Sequence, residues 1–358
     1  MSLKTAGQQQ VSLTDNVTHP LVSIIMPVRN EAGYISVSLE SIARQSYPRD
    51  RMQVFVVDGM SDDDTRRIAR EVAEANGLDL AILDNPGKIA PSGLNVGLSR
   101  AEGEVIIRVD GHCELDRDYV ANCVEVLASG RAEGVGGPIE TIGEGAVAEA
   151  IAIAMSSKFG VGGSAFRTVN DREMYTDTVA FPGYTRETIQ AAGRFDEELV
   201  RNQDDEYNFR IRELGGRILL SPSIRSRYFS RGSIRSLRNQ YFQYGYWKVR
   251  VLQLHPRQMS PRQFVPFIFV TTLLVLGFAS LFSVFALWAT LAVTVSYLIA
   301  NLGASVVAGR ETPARVPLIA LSFLVIHISY GLGSLFGLLA FRKRWREPKT
   351  TRPRLVSD

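Results

Sequence analysis

From Leu21 the chain alternates short apolar runs with longer segments whose apolar positions recur at helical spacing. Leu21–Met26 is a β-rich run closed by Pro27 and reads as a buried strand. Ile35, Leu39 and Ile42 then fall at i, i+4 and i+7, on one face of a helix that Asn30 is placed to cap and that ends near Tyr47-Pro48. Met52–Val57 is a second strand, ended by Asp58-Gly59. Ser61-Asp-Asp-Asp-Thr65 opens a second helix, which stops at Asn76-Gly77. A strand over Leu80–Leu83, a helix over Ala90–Arg100 and a strand over Glu104–Val109, ended by Asp110-Gly-His112, continue the pattern. A helix to about Ser129 and a strand near Gly134–Pro138 complete it. Single helices between strands predict βαβ units and an α/β fold with a mostly parallel sheet. Such sheets bind ligands at the carboxyl ends of their strands. At those ends the sequence puts Pro27–Glu31, Asp58-Gly59 and Asp110-Gly-His112.

The pattern changes after Arg262. Phe264–Ala308 holds 45 residues, and Val316–Phe341 another 26, without Asp, Glu, Lys or Arg. About 20 helical residues cross a bilayer core, so three membrane helices are expected, at about 264–285, 287–308 and 316–341. His327, mid-segment, is expected to face other helices or a lipid-linked substrate. The organisation expected is a polar segment 1–20, an α/β domain 21–230, interfacial amphipathic helices 231–262, transmembrane helices 263–341 and a basic tail 342–358.

With 46% hydrophobic and 22% charged residues in 358, the chain is neither collagen-like nor disordered. Its net charge of +3 is unevenly placed: no acid occurs between Glu213 and Glu311, and a basic run from Arg217 to Arg262 precedes the apolar segments. That placement marks the cytoplasmic side of a membrane and favours anionic lipid headgroups. Membrane entry accounts for the basic run, so no nucleic-acid partner is expected. Tyr241, Phe242, Tyr244, Tyr246 and Trp247 interleave with Arg238, Lys248 and Arg250, the composition of an interfacial helix. Residues 1–20 lack the apolar core of a signal peptide, so the α/β domain is expected in the cytoplasm. Three crossings would then put the C-terminal tail outside, whereas its Arg and Lys residues, from Arg342 to Arg354, favour the inside. An even number of full crossings, with one segment re-entrant or interfacial, would remove the conflict. Cys113 and Cys123 read as reduced thiols rather than a disulfide framework. No GxGxxG follows the first strand and no P-loop occurs, so neither a dinucleotide enzyme nor a P-loop NTPase is evident.

Four motifs form an ordered set: Pro27-Val-Arg-Asn-Glu31, Val57-Asp-Gly-Met-Ser-Asp-Asp-Asp-Thr65, Leu94-Asn-Val-Gly-Leu-Ser-Arg-Ala-Glu-Gly-Glu104, and Asp110-Gly-His112. The set resembles the family 2 glycosyltransferases of GT-A fold, over about Leu21 to Trp247. The Asp-Gly-His variant and the apolar C-terminal segments make it most similar to the membrane-bound bacterial succinoglycan-biosynthesis-type glucosyltransferases. The resemblance implies a Rossmann-like nucleotide-diphospho-sugar transferase domain followed by transmembrane helices. It puts Pro27, Glu31 and Asp58 in the nucleotide pocket, with Lys88 either near the diphosphate or a solvated loop residue. It puts Asp110 and His112 at the metal motif, where Asp-x-Asp is commoner; oxygen ligands suit Mg2+ and an imidazole makes Mn2+ relatively more favourable. Asp110 would also face the donor. Phe181–Ile189, with Gly183, and Ala192–Glu198 resemble the acceptor-side segment. In Asn202–Arg210 the family pattern aligns Gln203 with a Glu and Asp204 with the Asp of the general base, Asp205 being the rival. Gln243-Tyr-Gly-Tyr-Trp247 stands where processive relatives keep Gln-x-x-Arg-Trp; Tyr246 replaces the Arg, so Gln243 and Trp247 would serve single-sugar transfer on the acceptor and product side.

The function the resemblance implies is inverting, Mg2+- or Mn2+-dependent transfer of one sugar from a nucleotide sugar, a UDP-sugar, to a polyprenyl-diphosphate-linked saccharide. The setting would be exopolysaccharide or cell-surface glycan synthesis at a bacterial inner membrane, with membrane lipids as a further partner. The alternatives are a polyprenyl-monophosphate glycosyl synthase, whose phosphate acceptor scarcely needs a base, and a non-catalytic membrane scaffold or transporter component.

Overall fold

The computed structural model describes residues 19–230 and 232–346; the expectations for residues 1–18 and for the tail beyond Arg346 lie outside the described residues. The chain begins with β1 (Val22–Val28), α1 (Ile35–Ala43), β2 (Met52–Asp58), α2 (Thr65–Asn76), β3 (Leu80–Asp84), α3 (Ala90–Leu98) and β4 (Val105–Arg108). Next come β5 (Cys113–Leu115), α4 (Tyr119–Ala128), β6 (Gly134–Gly137), β7 (Ile139–Ile142) and the helices α5 (Ala146–Met155), α6 (Lys158–Val161) and α7 (Ala165–Thr168). The elements β8 (Met174–Thr176), β9 (Ala180–Thr185), α8 (Arg186–Ala192), α9 (Gln203–Glu213), β10 (Ile218–Leu220) and β11 (Ser226–Phe229) follow. Four longer helices end the chain: α10 (Ile234–Leu254), α11 (Val265–Ala279), α12 (Val284–Ala308) and α13 (Val316–Ala340).

These elements fall into two compact units, residues 19–140 with 169–228, and 141–168 with 229–346. The first unit is built on a sheet of order β3-β2-β1-β4-β9-β6-β10-β8. β1 lies parallel between β2 and β4, with Val22 opposite both Met52 and Val105. β2 pairs parallel with β3, and β6 with β10, while β9 runs antiparallel between β4 and β6. The strands of the expected βαβ series are present. β1 is buried along nearly its whole length, which is why its sequence is a continuous apolar run rather than an alternation. Ile35, Leu39 and Ile42 of α1 are fully buried, as their spacing requires. The short β5, paired antiparallel with β11, was not anticipated.

The second unit takes in residues 141–168, which the sequence analysis counts within the α/β domain. Pro261–Ala279, Val284–Ala308 and Pro313–Ala340 are long and apolar enough to cross a membrane. The first two present a nearly continuous exposed apolar surface, with Phe278, Leu281, Phe282, Phe285 and Trp288 prominent. The break between them falls at 280–283 rather than at 285–287 as the apolar count divides it, because the Ser283 hydroxyl accepts the Ala286 N–H and caps α12. α10 packs along α13 through small residues: a Cβ added to Gly245 would meet the Tyr330 carbonyl, and one added to Gly333 the Phe242 carbonyl. His327 turns inward. Its ring nitrogens lie 3.0 Å from the Tyr297 hydroxyl and 2.8 Å from the Phe159 carbonyl, while the Asn301 amide donates to the Ala320 carbonyl. Tyr297, Asn301 and His327 are therefore spent on bonds between helices, as an apolar surround demands.

The α10–α13 contact gives a direct test. Gly333→Ala places a methyl about 2.1 Å from the Phe242 oxygen, so the helices must part. Overpacking of this kind costs about 1–3 kcal/mol, and the thermal midpoint of the detergent-solubilised protein should fall. Gly277→Ala, with nothing within 4 Å, should leave the midpoint unchanged or raise it.

Candidate active site

The loops after β1, β2 and β4 meet at one edge of the first unit. Asn30 adopts a left-handed φ of 56°, and the loop it begins is held by the one after β2. The Asn30, Glu31 and Ala32 N–H groups donate to Ser61 Oγ, Thr65 Oγ1 and Asp63 Oδ2 at 2.9, 2.8 and 3.1 Å. The polar run 61–65 thus serves as a clasp as well as a helix start. Gly111 allows the third loop to pack beneath, since a Cβ there would lie 2.8 Å from Val28 Cγ1 and 3.1 Å from Glu31 Cγ. In this setting the Glu31 carboxylate lies 2.9 Å from His112 Nδ1.

Asp58 is fully buried at the end of β2. Its carboxylate accepts from the Ser61 N–H at 3.1 Å and faces Arg66 at 3.6 Å; Arg66 also reaches Asp84 at 2.7 Å. Pro27 lies in β1 opposite Val57, its ring against Gly93 of α3. Lys88 is exposed on the turn before α3, with φ 60°.

Asp110 and Asp204 are brought together by a residue the motif reading passed over. The buried Arg108 guanidinium reaches Asp110 Oδ1 at 2.5 Å through one terminal nitrogen and Asp204 Oδ2 at 2.8 Å through the other. Arg108 Nε and Asp204 Oδ1 are buried without partners. The signal was present in Glu104-Val-Ile-Ile-Arg-Val109: an arginine within a strand buried on both faces needs acids near it. Burial is the largest influence on Asp204 and pushes its carboxyl up; Arg108 opposes this, Asp110 and Asp205 add to it, and the result is about 6. Burial works against the Arg108 charge, but Asp110 and Asp204 hold it well above the ordinary guanidinium value.

The remaining acids of α9 have other partners. Glu206, fully buried, pairs with Arg210, which also donates to the carbonyls of Ala192 and Arg194 at 2.8 and 2.6 Å. Asn95 of α3 binds the Phe195 carbonyl and N–H at 3.0 and 2.9 Å and so fastens the 192–198 segment to α3. Asp205 is half-buried beside Asp204. Gly183 lies in the sheet, opposite Ile107 and Val135, 3.5 Å from Cys123 Cβ for an added methyl. Gln243 and Trp247 stand one turn apart on α10 of the helical unit, joined by a 3.1 Å bond from the indole N–H. Cys113 and Cys123 are free and buried.

Asp110 and His112 are the side chains of this edge that could hold a divalent cation. An Nδ1–H donated to Glu31 leaves His112 Nε2 as a lone-pair donor, and Asp110, two residues earlier on the same loop, offers a carboxylate. No cluster of three or more His, Cys, Asp or Glu side chains that could hold a metal converges among the described residues, so the oxygens of a bound diphosphate would supply the remaining ligands.

A mostly parallel sheet with acidic loops at the ends of β1, β2 and β4, and a carboxylate helix opposite, defines a glycosyltransferase of GT-A fold. The glycosyl transferase family 2 model matches residues 23–187. The succinoglycan biosynthesis protein ExoA of Rhizobium meliloti (strain 1021) is 30% identical over 338 residues, 92% of this chain and 99% of that protein. The chain belongs to glycosyltransferase family 2. A Methanococcus voltae dolichyl N-acetyl-alpha-D-glucosaminyl phosphate 3-beta-D-2,3-diacetamido-2,3-dideoxy-beta-D-glucuronosyltransferase is 28% identical over 231 residues, 63% of this chain and 71% of its own length. Among solved structures, a mannosyltransferase from Pyrobaculum calidifontis in complex with GDP-Man and Mn2+ shares the fold, with a TM-score of 0.62 at 21% identity, covering 89% of this chain and 88% of that one.

The balance at Asp204 is measurable. Its carboxyl should titrate near pH 6 in carbon-13 spectra of the labelled protein, against about 4 for an exposed aspartate. Arg108→Met removes the opposing charge and should raise it further; a fall would contradict the assignment of causes.

Proposed function

We propose that the protein is an inverting, metal-dependent transferase that moves a single sugar from a UDP-sugar to a polyprenyl-diphosphate-linked saccharide in exopolysaccharide or cell-surface glycan synthesis. The observation that carries this reading is the pair of carboxylates on either side of Arg108. Asp110 stands at a strand end, two residues before His112, and Asp204 lies on the opposing helix with its carboxyl raised to about 6. A divalent cation, Mg2+ or Mn2+, held by Asp110 and His112 would neutralise charge on the departing nucleoside diphosphate. Asp58 and Arg66 offer hydrogen bonds to the nucleoside, with Pro27 flooring the pocket and Glu31 orienting His112. Asp204 accepts the proton of the acceptor hydroxyl as that oxygen attacks the anomeric carbon. The diphosphate leaves from the opposite face, so the configuration inverts. A carboxyl raised to about 6 is still ionised at neutral pH and is a stronger base than an exposed one.

A lipid-linked acceptor explains why such a domain carries membrane-length helices. The name of one relative, which acts on a dolichyl-phosphate-linked sugar, supports a lipid-linked acceptor, and that of another, a succinoglycan biosynthesis protein, supports polysaccharide synthesis. In this reading the protein is a multi-pass component of a bacterial inner membrane. The catalytic region, 21–230, works at the cytoplasmic face, 231–262 lies at the interface, and 263–341 is embedded. Gly183, Gln243 and Trp247 are assigned to the acceptor and product side, and Lys88 to the diphosphate.

Turnover with a panel of nucleotide sugars and a polyprenyl-diphosphate acceptor tests the proposal. EDTA should abolish transfer and Mn2+ or Mg2+ restore it; full activity in EDTA rejects the cation. Asp110→Ala should lower kcat by at least about 10²-fold, and Asp204→Asn by roughly 10²–10⁴-fold. Because the base must be unprotonated, kcat/KM should fall tenfold per unit below about pH 6 and level off above it. A nearly silent Asp204→Asn would point instead to a phosphate acceptor.

A further inference from the structure

Arg108 is shared between two carboxylates in a way that leaves hydrogen-bonding capacity unused. Its two terminal nitrogens are divided, one to Asp110 and one to Asp204. Its Nε, and the second oxygen of Asp204, are both buried without partners. A guanidinium can instead grip one carboxylate side-on, through Nε and a terminal nitrogen, with two parallel bonds. Nε shares its edge with the terminal nitrogen now on Asp110, whereas Asp204 is held by the other one, so using both orphaned atoms requires the guanidinium to turn that edge from Asp110 to Asp204. What prevents it here is the claim of Asp110 on the same guanidinium. Asp110 is also the carboxylate read above as facing the cation, and a cation there repels Arg108 from it.

We infer that Arg108 is a two-position positioning residue: it bridges Asp110 and Asp204 in the free enzyme, and closes onto Asp204 as a fork when cation and nucleotide occupy Asp110. The inference rests on the roles proposed for Asp110 and Asp204. Its consequence is that filling the donor side fixes the rotamer of the acceptor-side carboxylate. Asp204 is then held for its acceptor only when a donor is present, each forked oxygen keeping a second lone pair for the acceptor proton, which favours donor binding first. A buried guanidinium released from one acid must be taken up by another, and among the acids that face Arg108 Asp204 is the one left when Asp110 is engaged. The coupling is reciprocal: removing the charge of Asp204 should leave Arg108 wholly on Asp110, in competition with the cation.

The test is a double-mutant cycle in binding, not turnover, on the full-length protein in detergent with Mn2+ and UDP as the probe, read by calorimetry. Asp204→Asn should weaken Mn2+–UDP binding at least about fivefold, the lower range of coupling between sites. In an Arg108→Met background the same change should alter affinity less than about twofold. Arg108→Lys keeps the charge but loses the fork, and should also remove most of the coupling; it serves if the Met variant does not fold. An equal or larger effect of Asp204→Asn without Arg108 would show direct attraction between Asp204 and the cation, and would overturn the inference. Because no transfer is measured, failure of the cycle leaves the base assignment to stand or fall on its own kinetics.

Discussion

A strand in the middle of a sheet satisfies its backbone only by lying between two partners, and both partners of β1 run parallel with it. Parallel strands that start together send their carboxyl ends to the same edge. Val22 is level with Met52 and Val105, and Val28 with Asp58, so the loops after β1, β2 and β4 are delivered to one line at strand spacings of about 4.8 Å. The clasp from residues 61–65 onto 30–32, the Glu31–His112 pair and the burial of Asp58 all follow from that alignment. Slipping one strand by a residue would exchange side chains between the two covered faces and shift its loop out of line, so the same packing that stabilises the sheet fixes the geometry of the loops.

The other half of the site is attached to this edge by polar bonds between residues far apart in sequence. Arg108 reaches from β4 to α9, Asn95 from α3 to Phe195, and Arg210 from α9 back to the 192–194 turn. Each is buried, and each satisfies groups that would otherwise be costly to bury. They tie residues 192–210 to the edge formed by β1, β2 and β4. They also explain why the acidic run 204–206 is not one functional cluster: Glu206 belongs to the framework through Arg210, while Asp204 belongs to the site through Arg108.

The α/β series was legible because buried parallel strands write themselves as uninterrupted apolar runs, and the turns after them are marked by Pro27, Asp58-Gly59 and Asp110-Gly111. Three-residue strands such as β5 carry no such pattern. The segment 146–155, Ala-Val-Ala-Glu-Ala-Ile-Ala-Ile-Ala-Met, is apolar almost all round, so it shows no face by which to assign a partner. The break between α11 and α12 is equally silent in hydropathy; only the capping geometry of Ser283 reveals it. At the site, the residue types and their order were readable, whereas the contacts were not. Glu31 gives no local sign that it will meet His112, and Arg108 looks like one more residue of a strand until two acids from separate parts of the chain are found on it.

The helical unit is assembled from two stretches of chain, with α5 packed against α13. Between Met155 and Val316 lie about 160 residues, including the last strands of the sheet. A ribosome adding about 5–20 residues per second therefore releases α5 on the order of ten seconds before its helical partner exists. For that interval an apolar ten-residue helix stands without its final cover. The order of synthesis thus leaves this apolar segment waiting for its cover until the last long helix has been made.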